Sequence, residues 1–374
     1  MAHAPLWSRG QQVALVASLP LLLILASLTI AAEPAPRAMA LVQGAPAQAS
    51  TMVPRQTATT RSHDQLWLVS CRSVSYDRHG DDLDQLKYSV HRVATGWAAT
   101  NQAEFFRSSA TTSTMCVLVL GNGYSAAETR SLGQTAYRRL TADLPPQSAV
   151  RFVIWSWPSD HIDAGPIKDV RAKTARTPHV AYCLARWLDK TPASDHVSLL
   201  GTSFGARIVM EALELRSGGT IGGLRLANAP DAVRPKPKVA LISAAIDSDW
   251  LLPGRRLSHA VSQTDGLLLV NNGSDSVLSR YHWVYGPRSK ATALGVTGLR
   301  GSWQLGEEAN KVKQLDASSI IGRHHGCGPY FESPRLVAAM RSHLFSNHEQ
   351  TPHLPTEGLP IPVAAKPEKD TTRQ

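Results

Sequence analysis

The chain has 374 residues, 43% of them hydrophobic and 18% charged, a balance that suits a globular protein with a sizeable core and excludes a wholly disordered or fibrous one. Its net charge of +10 points to attraction toward acidic surfaces such as phospholipid or an anionic envelope polymer. No dense Lys/Arg run interleaved with aromatics appears, so nucleic acid is not an expected partner.

The first twelve residues are polar and carry Arg9. Residues 13–32 are then almost wholly apolar, interrupted by Ser18, Pro20, Ser27 and Thr29. This run is about 20 residues long, enough to span a bilayer, and reads as a signal peptide or a signal anchor. Thr29-Ile30-Ala31 and Ala38-Met39-Ala40 are candidate cleavage sites. Export to the periplasm or medium, or retention at the membrane by an N-terminal helix, is therefore expected. Residues 33–63 are rich in Ala, Pro, Thr, Gln and Ser without apolar periodicity, the composition of a flexible linker. Residues 349–374 form a Pro-rich tail expected to be disordered, which leaves 64–348 as the folded domain.

Within that domain strands and helices alternate. Strands are predicted over 65–74, 87–93 (antiparallel), 115–120, 150–155, 196–200, 238–246 and 266–270. Ser125 with Glu128 three residues on is a capping box that starts the helix after the third strand. Another helix is predicted around 178–188. The last runs from the cap Ser333, with Pro334 at its first position, to about Phe345. Repeated β-α units with apolar strands predict an α/β fold: a mostly parallel central sheet, helices on both faces, antiparallel strands at the N-terminal edge. Four cysteines, Cys71, Cys116, Cys183 and Cys327, fall in or near these elements, and no disulfide is predicted among them.

One stretch concentrates the chemistry. Residues 196–216 read as an apolar strand, then Gly201-Thr202-Ser203-Phe204-Gly205, then an amphipathic helix with Ile208, Val209, Ala212, Leu213 and Leu215 on its apolar stripe. A G-x-S-x-G between strand and helix is the context of a nucleophile elbow. The bland alternative is a glycine-rich turn with a solvated serine. A serine hydroxyl is a weak nucleophile at neutral pH and needs a histidine base oriented by an acid. In the elbow's usual chain order both partners follow the serine, at strand ends. Asp275, in the Asn-Asn-Gly-Ser loop after strand 266–270, is favoured over Asp247 and Asp249. His325, in a glycine-bounded loop before the last helix, is favoured over its neighbour His324. His282, His343, His348 and His353 are less well placed. His324, His325 and Cys327 lack the further ligands a zinc site needs, and no metal is expected. The oxyanion hole is expected from the Phe204 N–H and an N–H at Asn122 or Gly123, in the loop after strand 115–120.

Two further motifs, Asn122-Gly123-Tyr124 and Trp157-Pro158-Ser159, precede the elbow in order. With it they make residues 65–345 resemble the α/β-hydrolases, in particular a bacterial branch with His-Gly-Tyr and Trp-Pro-Ser at those places. The resemblance implies Ser203 as nucleophile, Asp275 as acid and His325 as base, and hydrolysis of an ester, thioester or amide, without identifying the substrate; a small-molecule or lipid-like ester is the expected partner. Asn122 stands where the branch often has histidine, and Thr202 where the residue before the serine is often histidine or tyrosine. Substrate choice is expected to lie in the connections 218–237 and 280–320, the latter holding Tyr281, Trp283, Tyr285 and Trp303. No G-x-G-x-x-G opening a helix and no P-loop appears, so no cofactor is expected. The competing class is an inactive envelope protein that keeps the fold and only binds.

Overall fold

The central strands are largely apolar and buried, because the sheet they form is covered on both faces. The computed structural model describes residues 61–75, 82–108, 114–192, 196–227, 236–284 and 289–346. The leader at 1–32, the tail at 349–374 and nearly all of the linker at 33–63 lie outside the described residues. Among the described residues the strands are β1 Gln65–Ser70, β2 Lys87–Arg92, β3 Gly96–Thr100, β4 Thr114–Val119, β5 Val150–Ser156, β6 His196–Thr202, β7 Lys238–Ile242, β8 Gly266–Asn271 and β9 Val312–Asp316. The α-helices among them are α1 Gln102–Arg107, α2 Ala126–Thr141, α3 Pro166–Asp189, α4 Phe204–Arg216, α5 Leu294–Thr297, α6 Ser318–Ile321, α7 Gly328–Glu332 and α8 Pro334–Phe345.

The strands form one sheet in the order β3-β2-β1-β5-β4-β6-β7-β8-β9. All pairings from β1 through β9 are parallel, and antiparallel pairing is confined to β2 with its two neighbours at the N-terminal edge. This is the α/β architecture expected from the sequence: a mostly parallel sheet with helices on both faces and antiparallel strands at the N-terminal edge. Alternate strand residues feed two separate cores. Val117, Val153, Trp155, Leu199, Val239 and Leu269 pack with α3 and α4 on one face. Cys116, Leu118, Phe152, Leu200, Ile242 and Val270 pack with α2 and α8 on the other. Each large side chain contributes about 1.5–3 kcal/mol on burial. A one-residue slip would exchange the two sets, so register is enforced along the whole sheet.

Several elements depart from the sequence reading. The strand expected to run to residue 246 stops at Ile242, because Ser243 takes φ 43. The turn is locked by Ser243 Oγ and the Tyr330 hydroxyl at 2.6 Å. The helix expected from about residue 178 begins at Pro166 instead, with Pro178 inside it. Proline removes an N–H and strands the Thr174 carbonyl, and that carbonyl accepts from the Thr177 hydroxyl at 3.2 Å. β3 and β9 were not expected at all. Both are short, half-exposed edge strands without an apolar run, and β9 emerges within the 280–320 connection.

The last helix docks on β7 through His343, whose Nε2 donates to the Val239 carbonyl at 3.0 Å. Burial, with further help from Lys313 and Lys238, pushes this imidazole down to about 4. The unfolded chain takes up the proton at the ordinary value of 6.5, so it binds more protons than the fold between those two values. Stability is therefore expected to fall as pH drops through that window. The melting midpoint of His343→Gln should fall less than that of the wild type between about pH 7 and about pH 4.5. Equal falls would place the acid sensitivity elsewhere.

Candidate active site

β6 ends at Thr202 and α4 begins at Phe204, leaving Ser203 at a sharp turn with φ 51 and ψ −117. A non-glycine residue held so costs about 1–3 kcal/mol and persists only when its surroundings fix it. Here the Ser203 N–H donates to the Ile242 carbonyl at 2.9 Å, and the Ser203 carbonyl accepts from the Ala245 N–H at 3.2 Å. The two glycines of the motif permit close approach. A Cβ on Gly205 would stand 1.9 Å from the Val119 carbonyl oxygen, and one on Gly201 2.6 Å from the Ala206 Cα.

Two loops from distant parts of the chain meet this serine. Ser203 Oγ lies 2.9 Å from His325 Nε2. His325 Nδ1 lies 2.7 Å from Asp275 Oδ2. The network assigns the tautomer: Nδ1–H donates to the carboxylate, which leaves Nε2 to accept from the hydroxyl. Asp275 is wholly buried, and its second oxygen accepts from the N–H groups of Val277 and Leu278, each at 2.9 Å. A buried carboxylate with three donors is satisfied in place. The His325 side chain is 21% exposed, so solvent reaches the row from the imidazole side.

The alternative residues lie elsewhere. Asp247 accepts from the Tyr281 hydroxyl at 2.8 Å, and Asp249 faces Arg255 at 3.3 Å. His324 is exposed, with its carbonyl rather than its ring engaged. His343 is on α8 against β7, and His282 is in the short helical stretch Leu278–Val284. His348, His353 and Tyr285 fall outside the described residues. Of the aromatics expected to line a pocket, Tyr281 is buried and Trp303 is 51% exposed. No group of His, Cys, Asp and Glu that would hold a metal occurs among the described residues.

The loop after β4 passes directly over the serine. A Cβ on Gly121 would sit 2.9 Å from Ser203 Cβ and 3.5 Å from its Oγ. The Gly121 N–H donates to Thr202 Oγ1 at 3.0 Å, and the Gly123 N–H donates to the Ser159 carbonyl at 2.8 Å. Gly123 is thus engaged within the fold. The Asn122 N–H between them makes no hydrogen bond among the described residues. Phe204, as the first residue of α4, has an N–H with no intrahelical acceptor.

Sequence reasoning missed several residues that hold these groups. Thr202 anchors Gly121, as above. Asn272 is wholly buried at the end of β8 and donates to the carbonyls of Gly322 at 2.8 Å and His324 at 3.1 Å. Ser276 adds its N–H and hydroxyl to the Arg323 carbonyl, at 3.2 and 2.8 Å. The histidine loop is thereby tied to the acid loop. The signal available was the polar run Asn271-Asn272-Gly273-Ser274 directly after an apolar strand, which the sequence reading used only to choose the acid.

No family model matches the chain, and no curated protein matches it in sequence. Among solved structures it is similar to Zea mays acyl-protein thioesterase 2, at 17% identity and a TM-score of 0.32, covering 62% of this chain and 94% of that one. It is similar to an acetyl xylan esterase at 16% identity and 0.32, covering 62% and 98%. It is also similar to esterase B from Lactobacillus rhamnosis at 14% identity and 0.29, covering 73% and 79%. These likenesses are distant, and the reading of the site rests on its own geometry.

The elbow's close approach has a direct consequence. Gly205→Ala forces a methyl group into the Val119 carbonyl, and neither backbone has room to yield. Soluble folded protein is expected to be lost. Gly218→Ala, at φ 88 but with nothing within 4 Å, should fold at a cost of about 1–2 kcal/mol. Soluble yield and melting midpoint check both, and a normally folded Gly205→Ala would contradict the packing described.

Proposed function

We propose that the chain is a serine hydrolase that cleaves an ester, or a thioester or amide, through an acyl-enzyme. The observation that carries this reading is the continuous row Ser203 Oγ, His325 Nε2, His325 Nδ1, Asp275 Oδ2, with links of 2.9 and 2.7 Å, at a strained strand-to-helix turn. Three groups separated by 72 and 50 positions (203 to 275 to 325) stand in the order and geometry that activates a hydroxyl.

In this mechanism the Ser203 hydroxyl attacks the substrate carbonyl carbon while its proton passes to His325 Nε2. The carbonyl oxygen becomes an oxyanion. The N–H groups of Phe204 and Asn122 receive it, the first at the positive end of α4. Asp275 holds the imidazole in the accepting tautomer and stabilises the imidazolium. The intermediate collapses, the leaving group departs with the proton from His325, and Ser203 keeps the acyl group. Water then attacks the acyl carbonyl, gives its proton to His325, and the acid is released as Ser203 regains the proton. No cofactor enters this scheme.

We further propose export, or retention at a membrane, on the strength of the apolar run at 13–32 and the net charge of +10. That charge favours an anionic envelope surface as the setting, and small or lipid-like esters are the substrates we propose. Among the described residues no helix is long and apolar enough to cross a membrane.

Turnover of a short p-nitrophenyl ester tests the chemistry. Ser203→Ala should abolish it with an unchanged melting midpoint. Asp275→Asn should lower kcat by about 10³–10⁴-fold, because the imidazole is then held in the wrong tautomer. Undiminished turnover by Ser203→Ala would remove the serine-hydrolase reading.

A further inference from the structure

The Asn122 side chain has a use that the chemistry above does not give it. Its Nδ2 donates to Asp169 Oδ2 at 2.8 Å. Asp169 lies in the first turn of α3 and is 4% exposed. Its other oxygen accepts from the Ile162 N–H at 2.9 Å and from Lys173 Nζ at 2.5 Å. Lys173 is wholly buried and also donates to the Asp160 carbonyl at 2.5 Å. Burial alone would raise the Asp169 carboxyl, but the hydrogen bonds from Lys173, Asn122 and the Ile162 N–H outweigh it and hold it below the ordinary carboxylate range. The group is therefore a fixed anion on a rigid helix, facing the loop that crosses Ser203.

The surroundings brace the same loop. Arg72, at the end of β1, donates to the Tyr124 carbonyl at 2.9 Å, to Ser156 Oγ at 2.7 Å, and pairs with Asp160. The His161 ring packs against Gly123, close enough that a Cβ there would stand 2.9 Å from Nε2. Flanking residues 121 and 123 have their N–H groups tied down, and residue 122 is tied by its side chain instead. The arrangement leaves the Asn122 backbone N–H without an acceptor among the described residues, next to Gly121, which packs against Ser203. Asn122 Oδ1 is buried with no partner among the described residues, so Nδ2 alone ties this side chain to the fold.

We propose that Asp169 is a positioning residue for the reaction: acting through the Asn122 side chain, it fixes the Asn122 N–H where it meets the developing oxyanion. This inference rests on the serine-hydrolase reading. Substrate does not touch Asp169, and the Lys173 ammonium compensates the buried charge.

Steady-state kinetics on the p-nitrophenyl ester, with melting midpoints, tests it. Asn122→Ala keeps the backbone N–H and loses only the tie. Loss of a whole oxyanion-hole donor costs about 10²–10³-fold in kcat, so a displaced donor should cost about 10–100-fold, with KM within about twofold. The pair Asp169→Leu with Lys173→Met removes both charges together, so neither is left buried alone. It should lower kcat by a similar factor, and adding Asn122→Ala to it should cause little further loss. The inference is overturned if the wild type turns over and Asn122→Ala matches it. It is also overturned if the losses from the pair and from Asn122→Ala multiply, since Asp169 then acts by another route. If Ser203→Ala retains wild-type turnover, the serine-hydrolase reading has failed and this inference goes with it, an outcome distinct from the other two.

Discussion

A serine at φ 51 and ψ −117 survives only because the chain grips it from three directions. β7 supplies the Ile242 carbonyl to its N–H, and the turn after β7 supplies the Ala245 N–H to its carbonyl. The loop after β4 closes over it so tightly that Gly121 has no room for a side chain. The strain is offset by the two cores that fix β4, β6 and β7 in register, each apolar strand residue holding its neighbours in place. Core and site are thus one mechanical system: the sheet forces the turn, and the turn lifts the hydroxyl clear of its own backbone toward the strand ends.

The partners of that hydroxyl are brought in by a different principle. Asp275 and His325 come from loops that are not themselves part of the sheet, so polar contacts hold them. A wholly buried carboxylate is costly unless both oxygens are hydrogen-bonded, and Asp275 accepts from two backbone N–H groups on one oxygen and an imidazole on the other. Asn272 and Ser276 clasp the carbonyls of residues 322–324, so the histidine cannot drift from the acid without breaking several hydrogen bonds at once. Preorganisation of this kind keeps the imidazole aimed without help from a substrate. On the other side of the serine, the ion pair of Asp169 and Lys173 serves the loop after β4 in the same way.

How much of this was legible in the sequence follows from how each part is encoded. The central strands are continuous apolar runs, and the elbow is a short motif in a strand-to-helix context, so both could be read directly. Asp275 and His325 were legible as candidates because they lie in polar loops in a particular chain order after the elbow, and the structure places their side chains in a hydrogen-bonded row with Ser203. The edge strands β3 and β9 were not readable, because a half-exposed strand of five residues lacks the contrast that periodicity needs. The early start of α3 was hidden by Pro178, which looks like a helix beginning; the Thr177 hydroxyl that makes it tolerable acts through geometry, not pattern. Asp169 and Lys173 were invisible for a related reason. At i and i+4 on a helix they look like a solvated surface pair, and only the fold shows them buried. Gly123 and Asn122 were equivalent in sequence as donors, and the Ser159 carbonyl separates them.

The most direct test of the central claim is where a mechanism-based probe attaches. A fluorophosphonate is attacked by an activated serine hydroxyl and remains bound to it, so peptide mass spectrometry of the treated protein reads the nucleophile itself. The account predicts a single adduct, on the peptide carrying Ser203, and its loss in His325→Ala, where the hydroxyl and the elbow remain but the base is gone. An untouched Ser203 in the folded wild type, or an adduct that forms equally well without His325, would contradict it.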